Sequence, residues 1–141
     1  MVPFKSAKSA SLEEREAKQK KSHRWRDVAL KAAKQCRRAT IPQVLDHTSF
    51  EGAIGFSSEA AVKIALWKRV GLPSLKKIIS VEREKLQRGV CILSGPEGGF
   101  EEDEMEAAKA AGFVPVSLGP RILRVETSAI TAVGVVRYEC A

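Results

Sequence analysis

Two hydrophobic periods alternate along this chain. Val90-Cys91-Ile92-Leu93 and Val114-Pro115-Val116-Ser117-Leu118 are short apolar runs, the length of buried strands. Ala61 to Trp67 alternates enough to be another strand, Gln43-Val44-Leu45 reads as a short one, and Val2-Pro3-Phe4 as the end of one. Between these runs the period lengthens to that of a helix. Leu12 to about Arg37 contains no Gly or Pro, with Ser11 as its cap and Glu13 and Glu14 in its first turn. Its second half is amphipathic, with Trp25, Val28, Ala29, Ala32 and Ala33 expected on the core face. Pro42 closes this region. Ser49 to Ile54 reads as a helical turn, Pro73 to Ile79 as a short helix, and Ser80 to Gly89 as a charged, exposed stretch. Glu101 to Ala111 forms a helix stopped by Gly112, and Glu126 to about Tyr138 forms the last one. That last helix is apolar on more than one side, so part of its surface needs a partner.

Strand, loop and helix occur twice in succession after residue 90. This order predicts an α/β fold with a mostly parallel sheet. In such sheets ligands sit outside the carboxyl ends of the strands. Two glycine-marked loops fall there: Ser94-Gly95-Pro96-Glu97-Gly98-Gly99-Phe100, and Leu118-Gly119-Pro120-Arg121-Ile122-Leu123-Arg124. Neither has the spacing of a phosphate loop, and no Lys follows the glycines. The helix after the first loop opens with Glu101, Glu102, Asp103 and Glu104, which complement the helix dipole themselves and would repel a phosphate. Two readings stand. The loops are ordinary turns, or they form one pocket for a neutral or cationic ligand read by backbone groups.

Length sets the scale at one domain of 141 residues. Apolar content of 44% suits a packed core. No apolar run approaches the ~18–20 residues that span a membrane, and residues 1–11 lack the apolar stretch of a signal peptide, so the expected location is the cytoplasm. Cys36, Cys91 and Cys140 form no metal pattern, and His23 and His47 stand alone, so no metal site is expected. Cys91 reads as a small buried hydrophobe. The net charge of +7 is unevenly spread. Residues 1–40 hold twelve Lys/Arg against four Asp/Glu, and the remainder twelve against thirteen. A basic segment of that kind is either a solvated helix or a nucleic-acid surface. Trp25 within it reads as a core-edge aromatic, with stacking on a base as the alternative.

The residues from Gly95 onward carry a longer pattern. Gly95-Pro96-Glu97-Gly98-Gly99-Phe100, Glu104, Gly112-Phe113, and Leu118-Gly119-Pro120-Arg121-Ile122-Leu123-Arg124-Val125-Glu126-Thr127 together resemble the signature of the bacterial 16S ribosomal RNA uridine-N3 methyltransferases, of the SPOUT class. His23-Arg24-Trp25-Arg26 through Ala32-Ala33, Gln35-Cys36, Arg38 and Pro42 resemble that family's helix and following turn. The resemblance implies a C-terminal trefoil knot, a homodimer, and methyl transfer from S-adenosylmethionine to N3 of a uridine in small-subunit ribosomal RNA. Carried over by position, it implies that Leu93, Gly95, Pro96, Gly98, Leu118, Gly119, Ile122 and Leu123 hold the cofactor, with Glu97 bracing the first loop and Thr127 the start of the last helix.

Arg124 is the candidate to stabilise a uridinate anion and Glu126 the candidate base; the alternative for the pair is a structural ion pair. Arg24, Arg37 and Arg38 are the candidates for RNA contact, Arg38 foremost. The chain departs from the pattern in three ways. The resemblance implies that residues 1–141 correspond to a SPOUT methyltransferase domain, and the expectation is that the family's N-terminal barrel domain and the first strand and helix of the catalytic domain are lacking. Lys8 stands where an Arg is expected, and Lys68 where a Glu is expected. The rival reading is a catalytically silent RNA-binding or ribosome-assembly protein of the same fold.

Overall fold

The computed structural model describes residues 1–9 and 12–141, with the backbone alone over 12–23. The expected cap at Ser11 lies outside the described residues. Eleven elements follow in order: β1 (Phe4–Lys5), α1 (Leu12–Gln35), β2 (Thr48–Ser49), α2 (Phe50–Gly55), β3 (Val62–Leu66), α3 (Leu75–Val81), α4 (Arg83–Leu86), β4 (Val90–Ser94), α5 (Glu102–Ala110), β5 (Val114–Val116) and α6 (Val125–Cys140).

Both sheets are parallel. The larger has the order β4-β3-β5, and β1 pairs with β2 in a second. The register runs from Val62 opposite Val90 to Leu66 opposite Ser94, and from Ile64 opposite Val114 to Leu66 opposite Val116. All three strands of the larger sheet therefore end at the same level. The alternation along β3 separates two cores. Val62 and Ile64 pack with Leu75, Ile79, Leu86, Val116, Ala132 and Val136, under α3, α4 and α6. Ala65 faces the other side and packs with Phe50, Leu93, Phe100, Met105, Ala108 and Phe113, under α2 and α5. This is helix, sheet and helix in three layers, with β3 buried on both faces as a central parallel strand requires. Phe4, Phe50 and Phe100 stack and tilt against one another at 5.8–6.4 Å, joining the small sheet to the second core.

Local chemistry fixes the helix ends. Ser49 and Ser74 accept the N–H of Gly52 and Lys77 and start α2 and α3. Glu101 and Glu104 form a capping box on α5, and Lys63 of β3 donates to the carbonyl of Ala111 at its other end, 2.9 Å away.

Three expectations are corrected. Gln43-Val44-Leu45 is not a strand. It lies beside Met1-Pro3, joined by the N–H of Leu45 to the carbonyl of Met1 and the amino group of Met1 to the carbonyl of Gln43. Pro3 has no N–H to extend a ladder there, so pairing begins only at Phe4 with Thr48. On α1, Ala33 is buried and Trp25 and Ala29 half-buried, but Val28 and Ala32 are exposed. The core stripe is narrower than the periodicity suggested, and on this helix Arg26 reaches the segment around buried Val44, donating to the Val44 carbonyl and pairing with Asp46. Within Ser80–Gly89, α4 buries Leu86 under the sheet while its charged neighbours stay exposed.

Candidate functional site

Three chain segments leave the carboxyl ends of β4, β3 and β5 at the same edge of the sheet, and a cleft of about 920 Å³ opens between them. Ser94 to Glu102 form one wall and Val116 to Glu126 most of another. Leu66 to Arg69, after β3, form the floor between them, and Lys8 reaches the cleft from the segment after β1.

The first loop is shaped by close approach. A side chain at Gly95 would stand 3.0 Å from the ring of Phe100, and one at Gly98 would stand 3.0 Å from the Cβ of Lys8. Gly99 closes the turn with its N–H on the carbonyl of Pro96 at 2.8 Å. Lys8 in turn pairs with Glu101 at 3.2 Å. Glu104 holds the segment that carries Lys8. Its carboxylate accepts from the Ser6 hydroxyl at 2.9 Å, the Ala7 N–H at 2.8 Å and the Glu101 N–H at 2.9 Å. Glu97, the expected brace, is exposed and makes no side-chain hydrogen bond among the described residues; Phe100, Gly99 and Glu104 do that work instead.

The second loop is pinned at its start. The Ser117 hydroxyl donates to the carbonyl of Gly119 and accepts its N–H, both at 3.1 Å, while the Ser117 backbone is bonded to Pro73 and Leu75. Gly119 holds a φ of 126°, where a side chain would be strained. Lys68 donates to the carbonyls of Gly119 and Pro120.

Beyond these anchors the main chain is unpartnered. Among the described residues, the N–H groups of Gly98, Leu118, Arg121, Ile122 and Leu123 make no hydrogen bond to protein. Backbone groups left open along a cleft are satisfied by water or by a ligand. The side chains add Lys8, Lys68, Arg69, Arg121 and Arg124 against Glu97, Glu101, Glu102 and Glu126, a mixed field with no concentration of like charge. Such a lining suits a ligand with a polar, flat portion read by the main chain and a zwitterionic portion.

Of the residues singled out in the sequence, Gly95, Pro96, Gly98, Leu118, Gly119, Ile122 and Leu123 line this cleft, as do Arg124 and Glu126. Leu93 lies beneath it, buried in the second core. Arg124 caps the start of α6 with its backbone, and Glu126 sits in the first turn; both side chains are exposed, and no ion pair joins them among the described residues. Thr127 is exposed in the same turn. Arg24, Arg37 and Arg38 lie exposed on and just beyond α1, apart from the cleft lining. Periodicity and motif spacing missed Trp67 and Arg69 altogether and noted Lys8 and Lys68 only as departures. The signal for the β3 residues was available: the rule that places ligands at strand ends applies to β3 as much as to β4 and β5.

The pKa of Cys91, on β4, is raised by burial, opposed by the charge of Lys63. No group of three or more His, Cys, Asp or Glu side chains placed to hold a metal occurs among the described residues.

Comparison with known proteins accords with this geometry. The model of the RNA methyltransferase domain family matches residues 1–137. Ribosomal RNA small subunit methyltransferase E of Bacillus subtilis is 32% identical over 141 residues, covering 98% of this chain and 55% of its own length. The protein of the same name from Buchnera aphidicola subsp. Schizaphis graminum is 35% identical over 114 residues, 81% of this chain and 44% of its own. Among solved structures, the Neisseria gonorrhoeae Ribosomal RNA small subunit methyltransferase E bound to S-adenosyl methionine superposes with a TM-score of 0.77 at 29% identity, over 97% of this chain and 53% of its own. The chain thus spans about half the length of these relatives. With its family model matched almost end to end, its parallel α/β fold shared and its two loops converging on one cleft, the chain belongs to the RNA methyltransferase domain family.

Proposed function

We propose that this chain binds S-adenosylmethionine in the cleft between the two loops and transfers its methyl group to N3 of a uridine in 16S ribosomal RNA. The observation that carries the reading is the row of open backbone N–H groups on two loops that meet at the ends of β4 and β5. The residues present fit this cofactor: main-chain groups of Leu118 and Arg121 to Leu123 would read its adenine, and polar groups of the first loop would hold its amino-acid portion. When bound, S-adenosylmethionine supplies an electrophilic methyl group. The chain's own residues then handle the proton and the charge. Glu126 takes the proton from uridine N3, and Arg124 stabilises the negative charge that develops on the base. Orientation contributes more than covalent chemistry, and no nucleophilic Cys is required.

In the same reading the substrate reaches the cleft along the basic first third of the chain, with Arg24, Arg37 and Arg38 on ribosomal RNA phosphates. The outward apolar face of α6 joins a second copy into a homodimer. The loops and α6 together form a trefoil knot, and the reaction takes place in the cytoplasm. No helix among the described residues is long and apolar enough to cross a membrane.

The test is calorimetric titration of the chain with S-adenosylmethionine, beside a Gly98→Trp variant. Any side chain at Gly98 meets Lys8, so a Trp fills the first-loop wall. Micromolar binding lost in the variant, followed by 3-methyluridine in small ribosomal subunits treated with the wild type, is the expected result. A folded protein without binding would instead leave the silent RNA-binding reading.

A further inference from the structure

The central strand is followed by three residues that reach both loops. Trp67 is held by its N–H on the carbonyl of Val116, 3.0 Å away. Lys68 then turns to the second loop, where its ammonium donates to the carbonyl of Gly119 at 3.3 Å and to that of Pro120. Arg69 turns to the first. Its guanidinium lies 4.6 Å over the Trp67 ring and pairs with Glu102, the opening residue of α5. Among the described residues, no hydrogen bond joins the two loops directly. What spans them is this tripeptide that follows β3.

We propose that Lys68 and Arg69 form a clasp that fixes the separation of the two loops, and that both are positioning residues for the cleft. The weight falls on Lys68. Lys68 is exposed like Arg69, but it makes two charge-assisted bonds to one loop, and such bonds are stronger than neutral ones. They act on a loop whose Gly119 has a soft backbone. They also occupy the carbonyl side of the second loop, together with the Ser117 hydroxyl on Gly119, so the N–H groups of Arg121 to Leu123 are the ones left for a ligand. The Arg69 pair with Glu102 is about half exposed on both sides and is weak by itself. Its stacking on Trp67 is what holds the guanidinium in place. The effect on binding rests on the S-adenosylmethionine reading given above; the clasp is a property of the free protein and is tested apart from it.

The experiment is amide hydrogen exchange on the free wild type and on Lys68→Met, Lys68→Arg and Arg69→Gln, with an S-adenosylmethionine titration of each. Lys68→Met keeps the stem and removes the donors. It is expected to speed exchange of the bonded Ser117 and Gly119 amides about 10-fold, and to weaken binding by a similar factor, with exchange in β3 and in the core of α5 unchanged. Lys68→Arg keeps donors and is expected to restore most of the protection. Arg69→Gln is expected to speed exchange of the bonded Gly99 and Glu101 amides by a smaller factor. Unchanged exchange at the Ser117 and Gly119 amides in Lys68→Met would overturn the clasp, and so would a uniform acceleration throughout the protein, which marks a general stability role. If the wild type binds no S-adenosylmethionine, the functional reading fails while the exchange data still decide the clasp.

Discussion

Arg37 holds a φ of 54°, a conformation in which a side chain's Cβ crowds its own carbonyl. The position closes α1. The Arg38 N–H returns to the carbonyl of Ala33 and the Arg37 N–H to that of Lys34, a Schellman pair whose left-handed residue is ordinarily Gly. An Arg there loses about 1–2 kcal/mol in backbone strain. Gly would recover that and lose roughly 0.5–1 kcal/mol to the greater freedom of the unfolded chain. Arg37→Gly is therefore expected to raise the melting temperature by about 2–4 °C and, under the proposed function, to weaken RNA binding, because the guanidinium is lost. A thermal melt beside a filter-binding titration checks both. Cys91 supports a second expectation at this scale. Burial raises its thiol above 9.0, so the folded protein keeps a proton that the unfolded chain gives up. The contribution to stability is complete below pH 9 and is lost as the pH rises through the raised value. At pH 8, iodoacetamide should modify exposed Cys36 well before Cys91, with Cys91 reacting only on unfolding, as peptide mass spectrometry would record.

At the scale of elements, α5 shows how one residue joins distant parts. The spacing of Glu101 and Glu104 is legible as a capping box. The two further bonds from Glu104 to Ser6 and Ala7 are not, since they join residues 98 and 97 apart in the chain. Replacing Glu104 by Ala leaves three donors without their acceptor, one of them on the buried Ser6. A loss of about 2–3 kcal/mol in urea unfolding is expected, together with release of the segment that lays Lys8 across Gly98. The helix α1 makes the complementary point. Its periodicity located a core face, but the width of that face depends on what packs against it. Here Arg26 reaches a short segment around Val44, and Val28 and Ala32 remain in solvent.

For the whole molecule, the unresolved demand is the surface of α6. Ala132 and Val136 face the sheet, whereas Ile130, Val133 and Tyr138 are half to four-fifths exposed on the other sides. The helix was expected from its sequence to need a partner, and in this single chain those apolar side chains lie exposed. Under the homodimer proposal, Ile130→Asp should move the chain from a dimeric to a monomeric elution volume without loss of helical circular dichroism. An unchanged volume would place the dimer contact elsewhere. Charge is also organised at this scale: the excess of Lys/Arg lies in the first forty residues, while the cleft itself is mixed in sign.

The sequence by itself determined β3, β4 and β5, the helices α5 and α6, both glycine loops and the family motif. Each of these depends on local periodicity or on backbone conformations that only a few residue types allow. Gly95-Pro96-Glu97-Gly98-Gly99-Phe100 could be read without knowing its neighbours. Tertiary structure decided the rest. The order β4-β3-β5 brought the two loops to either side of one strand end and made Lys68 and Arg69 part of the site. It also placed Lys8 over Gly98, gave Glu104 its partners in the N-terminal segment, and put Leu93 in the core below the cleft. These contacts join residues far apart in the chain, and no local period encodes which strand lies beside which.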